Sequence, residues 1–179
     1  ANDITVDNDG NAYITDSFQP VIYVVSPEGE AEIFIEDEAL GATGFGLNGI
    51  DVHPDGYLLV AFAGSGAIFK VPVDAPEDFT EVDIFGSIWI DGMVIDADNN
   101  LIAVANVSGI EGQQLVFIHS QDDWASAEIV EVLPTGGAAT TVTLRNGVPY
   151  FLNAYLNEPN RDEYEIISEA FNFMIYGGR

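Results

Sequence analysis

The sequence predicts an all-β protein built from repeated antiparallel sheets. Four segments share one pattern, in which a short apolar strand, a turn rich in Asp, Asn and Gly, and two further strands follow one another. The clearest copy is 47–74, LNGIDVHPDGYLLVAFAGSGAIFKVPVD. Equivalent positions, Asn2, Asn48, Asp91 and Thr140, are 46, 43 and 49 residues apart. Short strands repeated with a period in the forties are typical of propeller blades, whereas solenoids of that period are helical. The pattern therefore predicts a β-propeller of four-stranded antiparallel blades, four of them in this chain.

The first two blades show the strand pattern in order. Blade one is predicted over 3–36, where an Asp-rich turn at 7–11 separates the first two strands. Apolar residues alternate with Glu in its outer strand at 31–35, which indicates one exposed face. Blade two is predicted over 49–85, with turns at His-Pro-Asp-Gly and Gly-Ser-Gly and an outer strand at 80–84.

The last two blades follow the same strand order. Blade three is predicted over 92–133 and includes a helical turn at 120–127. Blade four is predicted over 140–176 and ends in an outer strand at 171–175. The chain, 1–179, is then one propeller domain. Six blades are less crowded around an axis than four, so the structure must decide whether these four form an incomplete six-bladed ring.

Charge is the strongest signal in the composition. The chain has 30 Asp and Glu residues against four Lys and Arg, which gives a formal net charge of −26. Such a surface repels phosphate groups, so we expect neither nucleic acid nor an anionic membrane as a partner. Solubility is the simplest reason for acidic residues spread along a whole chain, and a dedicated basic partner is the alternative.

The remaining composition describes a folded domain without a membrane span. Apolar residues make up 47% of the 179, and the mean hydropathy of +0.17 excludes a disordered chain. No apolar run is long enough to cross a bilayer. The lack of cysteine excludes disulfides without deciding the compartment. Ala1 in place of Met suggests a processed N-terminus, and we expect a secreted protein or another non-cytosolic location.

Three stretches resemble a known family: 1–20 (ANDITVDNDGNAYITDSFQP), 47–73, and 91–106 (DGMVIDADNNLIAVAN). They are similar to the SMP-30/gluconolactonase/LRE-like family, which is related to calcium-dependent lactonases and phosphotriesterases. Family members have six blades, so the resemblance implies that this chain corresponds to the last four. It also implies a metal on the central axis, held by Asn and Asp at the starts of inner strands and by a Glu of the first blade. That Glu has no counterpart here.

Asn48 and Asp91 stand where two of these ligands are expected. The resemblance implies that both bind Ca²⁺ or another divalent cation and that Asp91 is the general base. Inner strands line a propeller channel, so their first residues converge at one mouth. Calcium prefers six or more oxygen ligands, and a site with one carboxylate and amides therefore needs water to complete it. The alternative is that Asn or Asp before Gly only makes turn contacts with its own backbone.

Three further residues are candidate substrate contacts. Asn2 occupies the equivalent position in blade one, which the resemblance implies is a substrate-side or metal-ligand position. Asp16 and Asn106 end second strands, which run back toward the same mouth. The alternative role of Asn2 is a turn contact, and that of Asp16 and Asn106 is to terminate a strand.

Other motifs argue against further metal or nucleophile chemistry. The Asp-rich turns at 7–11 and 96–99 lack the Glu that ends an EF-hand loop, so they are predicted to be hairpin turns at the opposite mouth. His53 and His119 have no Cys or His nearby in sequence, which disfavours zinc and a Ser/His/Asp triad.

Two functions are consistent with these features. The first is a calcium-dependent hydrolase acting on a small lactone or ester, and it rests on the resemblance and on the shared repeat position of Asn48 and Asp91. The second is a non-catalytic propeller that serves as a binding or scaffolding subunit, with a protein partner covering open blade faces. The missing Glu and missing blades favour the second function.

Overall fold

The computed structural model describes residues 1–156, 158, 160 and 163–168. They form four mostly antiparallel sheets arranged as the blades of a β-propeller, which confirms the predicted fold class. Blades one and two contain β1 (Ile4–Val6), β2 (Ala12–Thr15), β3 (Val21–Val25), β4 (Ala31–Glu36), β5 (Leu47–His53), β6 (Tyr57–Phe62), β7 (Ala67–Pro72) and β8 (Thr80–Glu81). Blades three and four contain β9 (Asp83–Ile84), β10 (Ile88–Ile95), β11 (Leu101–Val107), β12 (Gln114–His119), β13 (Ser126–Pro134), β14 (Ala139–Arg145), β15 (Val148–Asn153) and β16 (Glu165–Ser168). The outer strand predicted at 171–175 lies outside the described residues.

The outer edge of blade two differs from the prediction. The sequence pattern indicated one strand at 80–84, but only β8 pairs with β7. Val82 turns into the core between blades two and three and is 1% exposed. β9 then pairs in parallel with β13, so blade three has five strands. Because Val82 is buried between the two blades, the residues that follow it pair with blade three instead of blade two.

The helical turn predicted at 120–127 is also wrong. Asp122 accepts hydrogen bonds from the backbone N–H of Ser126 at 2.9 Å and from its hydroxyl at 2.7 Å. Asp123 and Trp124 have φ near +58° and +59°, which is the left-handed region and incompatible with an α-helix. The Trp124 side chain is 2% exposed. Local hydrogen bonds and the burial of this indole therefore produce a turn, and β13 begins at Ser126.

The core lies between successive blades. Every residue of the second strand of blade two, β6, is buried, because neighbouring blades cover both faces of that sheet. Separate apolar clusters join blades one and two, two and three, and three and four. Burying the apolar surface between sheets is the main source of stability in such a fold.

Each end blade leaves an apolar face uncovered. On blade one, Thr5 points toward blade two and is buried, whereas Ile4 and Val6 point the other way and are 57% and 55% exposed. On blade four, Phe151 packs against blade three, whereas Ile166 on the other face is 74% exposed. The described residues therefore retain two sheet faces of the kind that adjacent blades cover elsewhere in the molecule.

Candidate functional site

A β-bulge near the start of the inner strand positions the two principal candidates. The pairing of β5 with β6 shifts between Leu47 and Ile50, and the pairing of β10 with β11 shifts between Ile90 and Met93. Asn48 and Asp91 lie within these bulges, as the repeat pattern predicts for equivalent positions. Because a bulge adds a residue to one strand, it redirects the side chains it contains.

The inner strands approach each other closely at the bulges. A side chain at residue 49 would collide with the carbonyl oxygen of Asp91. A Cβ at residue 92 would lie 2.5 Å from the Thr141 hydroxyl and 2.6 Å from its Cα. Gly49 and Gly92 therefore allow each inner strand to contact the next, which brings Asn48 next to Asp91.

The side chains of Asn48 and Asp91 are neighbours. The Asn48 amide donates a hydrogen bond to the backbone oxygen of Ile90 at 3.2 Å, and its side chain is close enough to Asp91 to lower the pKa of that carboxyl. Asn48 is 6% exposed, and its Oδ1 has no hydrogen-bond partner. A buried amide oxygen without a donor is uncommon in folded proteins and calls for an explanation.

Burial raises the pKa of the Asp91 carboxyl above its ordinary value of 3.8. The negative charge of Asp3 raises this pKa further, and the hydrogen bond with Asn48 opposes the shift. A carboxyl group whose pKa is raised in a cleft holds and releases a proton closer to neutral pH. The electrostatics at Asp91 are therefore suited to acid–base chemistry.

Asp3 is a site residue that the sequence analysis missed. Its carboxylate accepts hydrogen bonds from the backbone N–H of Ile4 at 2.9 Å and of Ile50 at 3.2 Å, so it bridges blades one and two. Burial raises the pKa of Asp3, and the charge of Asp51 adds to this effect. Asp3 occupies the repeat position of Gly49 and Gly92, and this exchange of Gly for Asp is the sequence signal that could have identified it.

Asp51 is a second acidic residue whose role only the structure shows. Its carboxylate accepts hydrogen bonds from the Thr5 hydroxyl at 2.7 Å and from the backbone N–H groups of Val52 and Ile95 at 2.9 and 2.7 Å. These contacts connect the inner strands of blades one, two and three. Asp51 therefore holds in place the strands that carry Asp3, Asn48 and Asp91.

A cleft of about 340 Å³ opens beside Asp91. Its lining also includes Asn106, a predicted substrate contact, and Thr140, the equivalent inner-strand residue of blade four. Asn106 is exposed and lies opposite Trp89 in the ladder between β10 and β11. Leu156 adds an apolar surface at the edge of the cleft. Asp91 and Asn106 thus face one space, as their positions in the repeat suggest.

The other two predicted substrate contacts lie at the blade-one side of this mouth. The Asn2 amide donates a hydrogen bond to the Ser17 hydroxyl at 2.7 Å, and that hydroxyl donates to the backbone oxygen of Leu47. Asp16 accepts hydrogen bonds from the backbone N–H groups of Phe18 and Gln19, and so it stabilises the turn after β2. The cleft at Asp91 does not include either residue.

The Asp-rich turns adopt the hairpin role expected from their sequence. Asp7 accepts hydrogen bonds from the N–H groups of residues 9 and 11, and Asp96 does the same for residues 98 and 100. In blade two, His53 takes this position and accepts from the N–H of Asp55. The carboxylates of Asp7 and Asp96 therefore accept hydrogen bonds from the backbone of their own turns.

The described part of the chain contains no cluster of three or more His, Cys, Asp or Glu side chains arranged to hold a metal ion. It also contains no helix with the length and hydropathy needed to span a membrane.

Comparisons with known proteins identify similar structures but no sequence family. No family model and no curated protein match the chain. Virginiamycin B lyase from Staphylococcus aureus, in a selenomethionine-substituted crystal structure, matches 83% of this chain and 46% of its own, at 16% identity and a TM-score of 0.60. YCF48 bound to D1 peptide matches over the same shares, at 16% identity and a TM-score of 0.61. A provisionally assigned gluconolactonase matches 84% of this chain and 54% of its own, at 17% identity and a TM-score of 0.58.

The shared fold is a β-propeller. At these identities the likeness shows the fold alone, and the chain spans about half the length of the structures that it matches. One similar chain is assigned as a gluconolactonase, one is a lyase and one has a peptide bound, so the fold supports both enzymes and binding proteins.

Proposed function

We propose that the cleft at Asp91 is the active site of a metal-assisted hydrolase of small lactones or esters. The observation that carries the proposal is the proximity of Asn48 and Asp91, in which a carboxylate of raised pKa lies beside an amide oxygen without a partner. The sequence resemblance and the structural likeness to a provisionally assigned gluconolactonase support the same class of reaction.

The side chains at the site fit a weakly bound calcium ion. The Asn48 Oδ1 and the carboxylates of Asp91 and Asp3 are hard oxygen donors, and the Asn48 oxygen has no competing hydrogen bond. Two carboxylates and one amide are fewer ligands than calcium prefers, so water would complete the shell and the affinity would be low. Asp3 adds a second carboxylate near Asp91.

The chain's own residues account for proton transfer and substrate placement. Calcium, when bound, would polarise the ester carbonyl. Asp91 would accept a proton from the water that attacks the carbonyl carbon and return it to the alkoxide released when the acyl–oxygen bond breaks. Asn106 and Thr140, on the cleft wall, would hydrogen-bond the substrate, and Leu156 would pack against its apolar part.

A titration and an activity assay test this proposal separately. Calorimetry with calcium chloride should show binding that Asp91→Asn abolishes and that Asp98→Asn, in an exposed turn at the opposite mouth, leaves unchanged. Hydrolysis of a panel of γ- and δ-lactones and p-nitrophenyl esters should stop with EDTA and with Asp91→Asn. If calcium does not bind and chelation does not alter hydrolysis, the metal role is wrong. If no substrate of the panel is hydrolysed, the hydrolase is wrong.

The uncovered blade faces favour a second candidate, a propeller that acts as a binding or scaffolding subunit. Ile4 and Val6 on one face and Ile166 on the other are more than half exposed, although equivalent faces between blades are buried. Such faces favour association with a complementary sheet. Native mass spectrometry tests this candidate, since a monomer that gains no partner when mixed with a total extract of its source would argue against it.

A further inference from the structure

The exposed aromatic side chains of the described residues all lie at one end of the propeller. We define the mouth as the end where the inner strands β1, β5, β10 and β14 begin. Second strands end there, so the connections between second and third strands and the connections between blades lie there too. The exposed aromatics at the mouth are Phe18, Phe45, Phe85, Trp89 and Tyr164, at 72%, 43%, 99%, 39% and 62%. Exposed aromatics confined to one end mark an interaction surface.

Two of these rings form a pair held beside a carboxylate. Phe18 and Phe45 meet edge to face with their centroids 5.7 Å apart. The backbone N–H of Phe18 donates to Asp16 Oδ1 at 2.9 Å, which holds this carboxylate next to the ring. This corner therefore presents an aromatic face and an oxygen suited to a positive charge.

The charged side chains described at the mouth are acidic. Asp37, Glu38 and Glu111 are exposed there, in the connection between blades one and two and in the loop between β11 and β12. The two cationic side chains among the described residues lie elsewhere. Lys70 contacts Asp123 near the opposite end, and Arg145 ends β14 at that end. An acidic, aromatic surface whose described side chains include no cation is complementary to a ligand that is basic and apolar.

We propose that the mouth binds a peptide segment in which arginine alternates with aromatic or leucine side chains. An arginine guanidinium would stack on the exposed Phe18 ring and donate to Asp16, because its plane suits both contacts. Apolar side chains of the same segment would pack against Phe45 and Trp89. This inference concerns the rim of the mouth and does not depend on hydrolysis in the cleft.

Binding is measured with defined peptides and the tryptophan of the mouth. Trp89 is 39% exposed and Trp124 is 2% exposed, so a bound peptide changes the emission of Trp89 selectively. The probe is the acetylated, amidated peptide Ala-Arg-Phe-Ala-Arg-Phe-Ala, compared with versions in which Glu replaces Arg or Ala replaces Phe. We expect saturable binding of the first peptide, no binding of the Glu version, and at least ~10-fold weaker binding of the Ala version.

Two pairs of variants, each a test variant with its matched control, distinguish binding at this site from general attraction to an acidic protein. The double variant Phe18→Ser/Phe45→Ser should weaken binding at least ~10-fold. The control Ile33→Ser/Val130→Ser removes exposed apolar side chains from outer strands and should bind as the wild type does. Asp16→Asn, which retains the oxygen that accepts from Phe18, should weaken binding more than Glu32→Gln on the outer strand β4. Equal binding by the Phe18/Phe45 variant and the wild type, or no saturable binding of the Arg-Phe peptide, would overturn the proposal.

Discussion

Replacing Gly92 with alanine should damage the contact between blades three and four. A Cβ at this position would lie 2.5 Å from the Thr141 hydroxyl oxygen, 2.6 Å from the Thr141 Cα and 2.8 Å from its Cβ. Carbon atoms in contact are normally about 3.5–4.0 Å apart, so the strands must separate by roughly 1 Å. A smaller side chain at 141 would not relieve the clash, because the Thr141 Cα belongs to the backbone.

The expected net loss of stability is about 1–2.5 kcal/mol. Overpacking a buried site typically costs ~1–3 kcal/mol, and a clash with backbone belongs at the upper end of that range. Alanine recovers part of this loss, about 0.4–1 kcal/mol, by restricting the unfolded chain. The net effect is a sizeable part of the free energy of unfolding of a typical domain, about 5–15 kcal/mol.

Urea unfolding followed by tryptophan fluorescence measures this effect. The control is Gly46→Ala, because a Cβ there would meet its nearest neighbours at 3.4 Å, an ordinary contact, without a positive φ. We expect Gly46→Ala to stay within about 0.5–1 kcal/mol of the wild type. If Gly92→Ala unfolds at the same urea concentration as the control, the close approach of the inner strands is not a source of constraint.

Three further substitutions test the electrostatics of the fold. The raised pKa of Asp91 means that the unfolded chain releases this proton first, so its contribution to stability is largest below pH 3.8 and falls as the pH rises through the folded-state pKa. Asp91→Asn should therefore be more stable than the wild type at neutral pH, and unfolding curves across that window should show a flatter pH dependence. Lys70→Met should cost about 0.5–1 kcal/mol in urea unfolding, because it removes contacts of 2.6 and 2.7 Å with the solvent-exposed Asp123, and an unchanged midpoint would contradict this. Asp51→Ala should cost about 2–3 kcal/mol, since the N–H of Ile95 loses its acceptor, and unchanged hydrogen exchange at that amide would refute the role.

The sequence predicted the blades well because their signals are local. Alternating apolar residues and Asp-Gly or Asn-Gly turns are read within a few residues, and they located most of the strands. The same repeat placed Asn48 and Asp91 at equivalent positions, and the structure brings them close together. The sequence did not reveal the role of Asp3, because the repeat aligns Asn2 with Asn48 and Asp91. Asp3 itself aligns with a residue that is glycine in blades two and three.

The wrong predictions concern segments whose structure depends on how they pack against other parts of the chain. Residues 80–84 have the composition of one strand, but burial of Val82 divides them between two blades. The turn around Trp124 is set by burial of the indole and by hydrogen bonds to Asp122, which no helical or strand periodicity encodes.

The sequence by itself determined an acidic all-β chain of four repeated sheets and the positions that begin each inner strand. Only the tertiary structure decided that Asp3, Asn48 and Asp91 share an environment, that Asp51 connects three blades, and that the exposed aromatics gather at one mouth. The physical reason is distance along the chain. The alternation of apolar residues and the chemistry of turns depend on residues a few positions apart. Burial, charge interactions and raised pKa values depend on residues more than 40 positions apart, which the packing of sheet against sheet brings together.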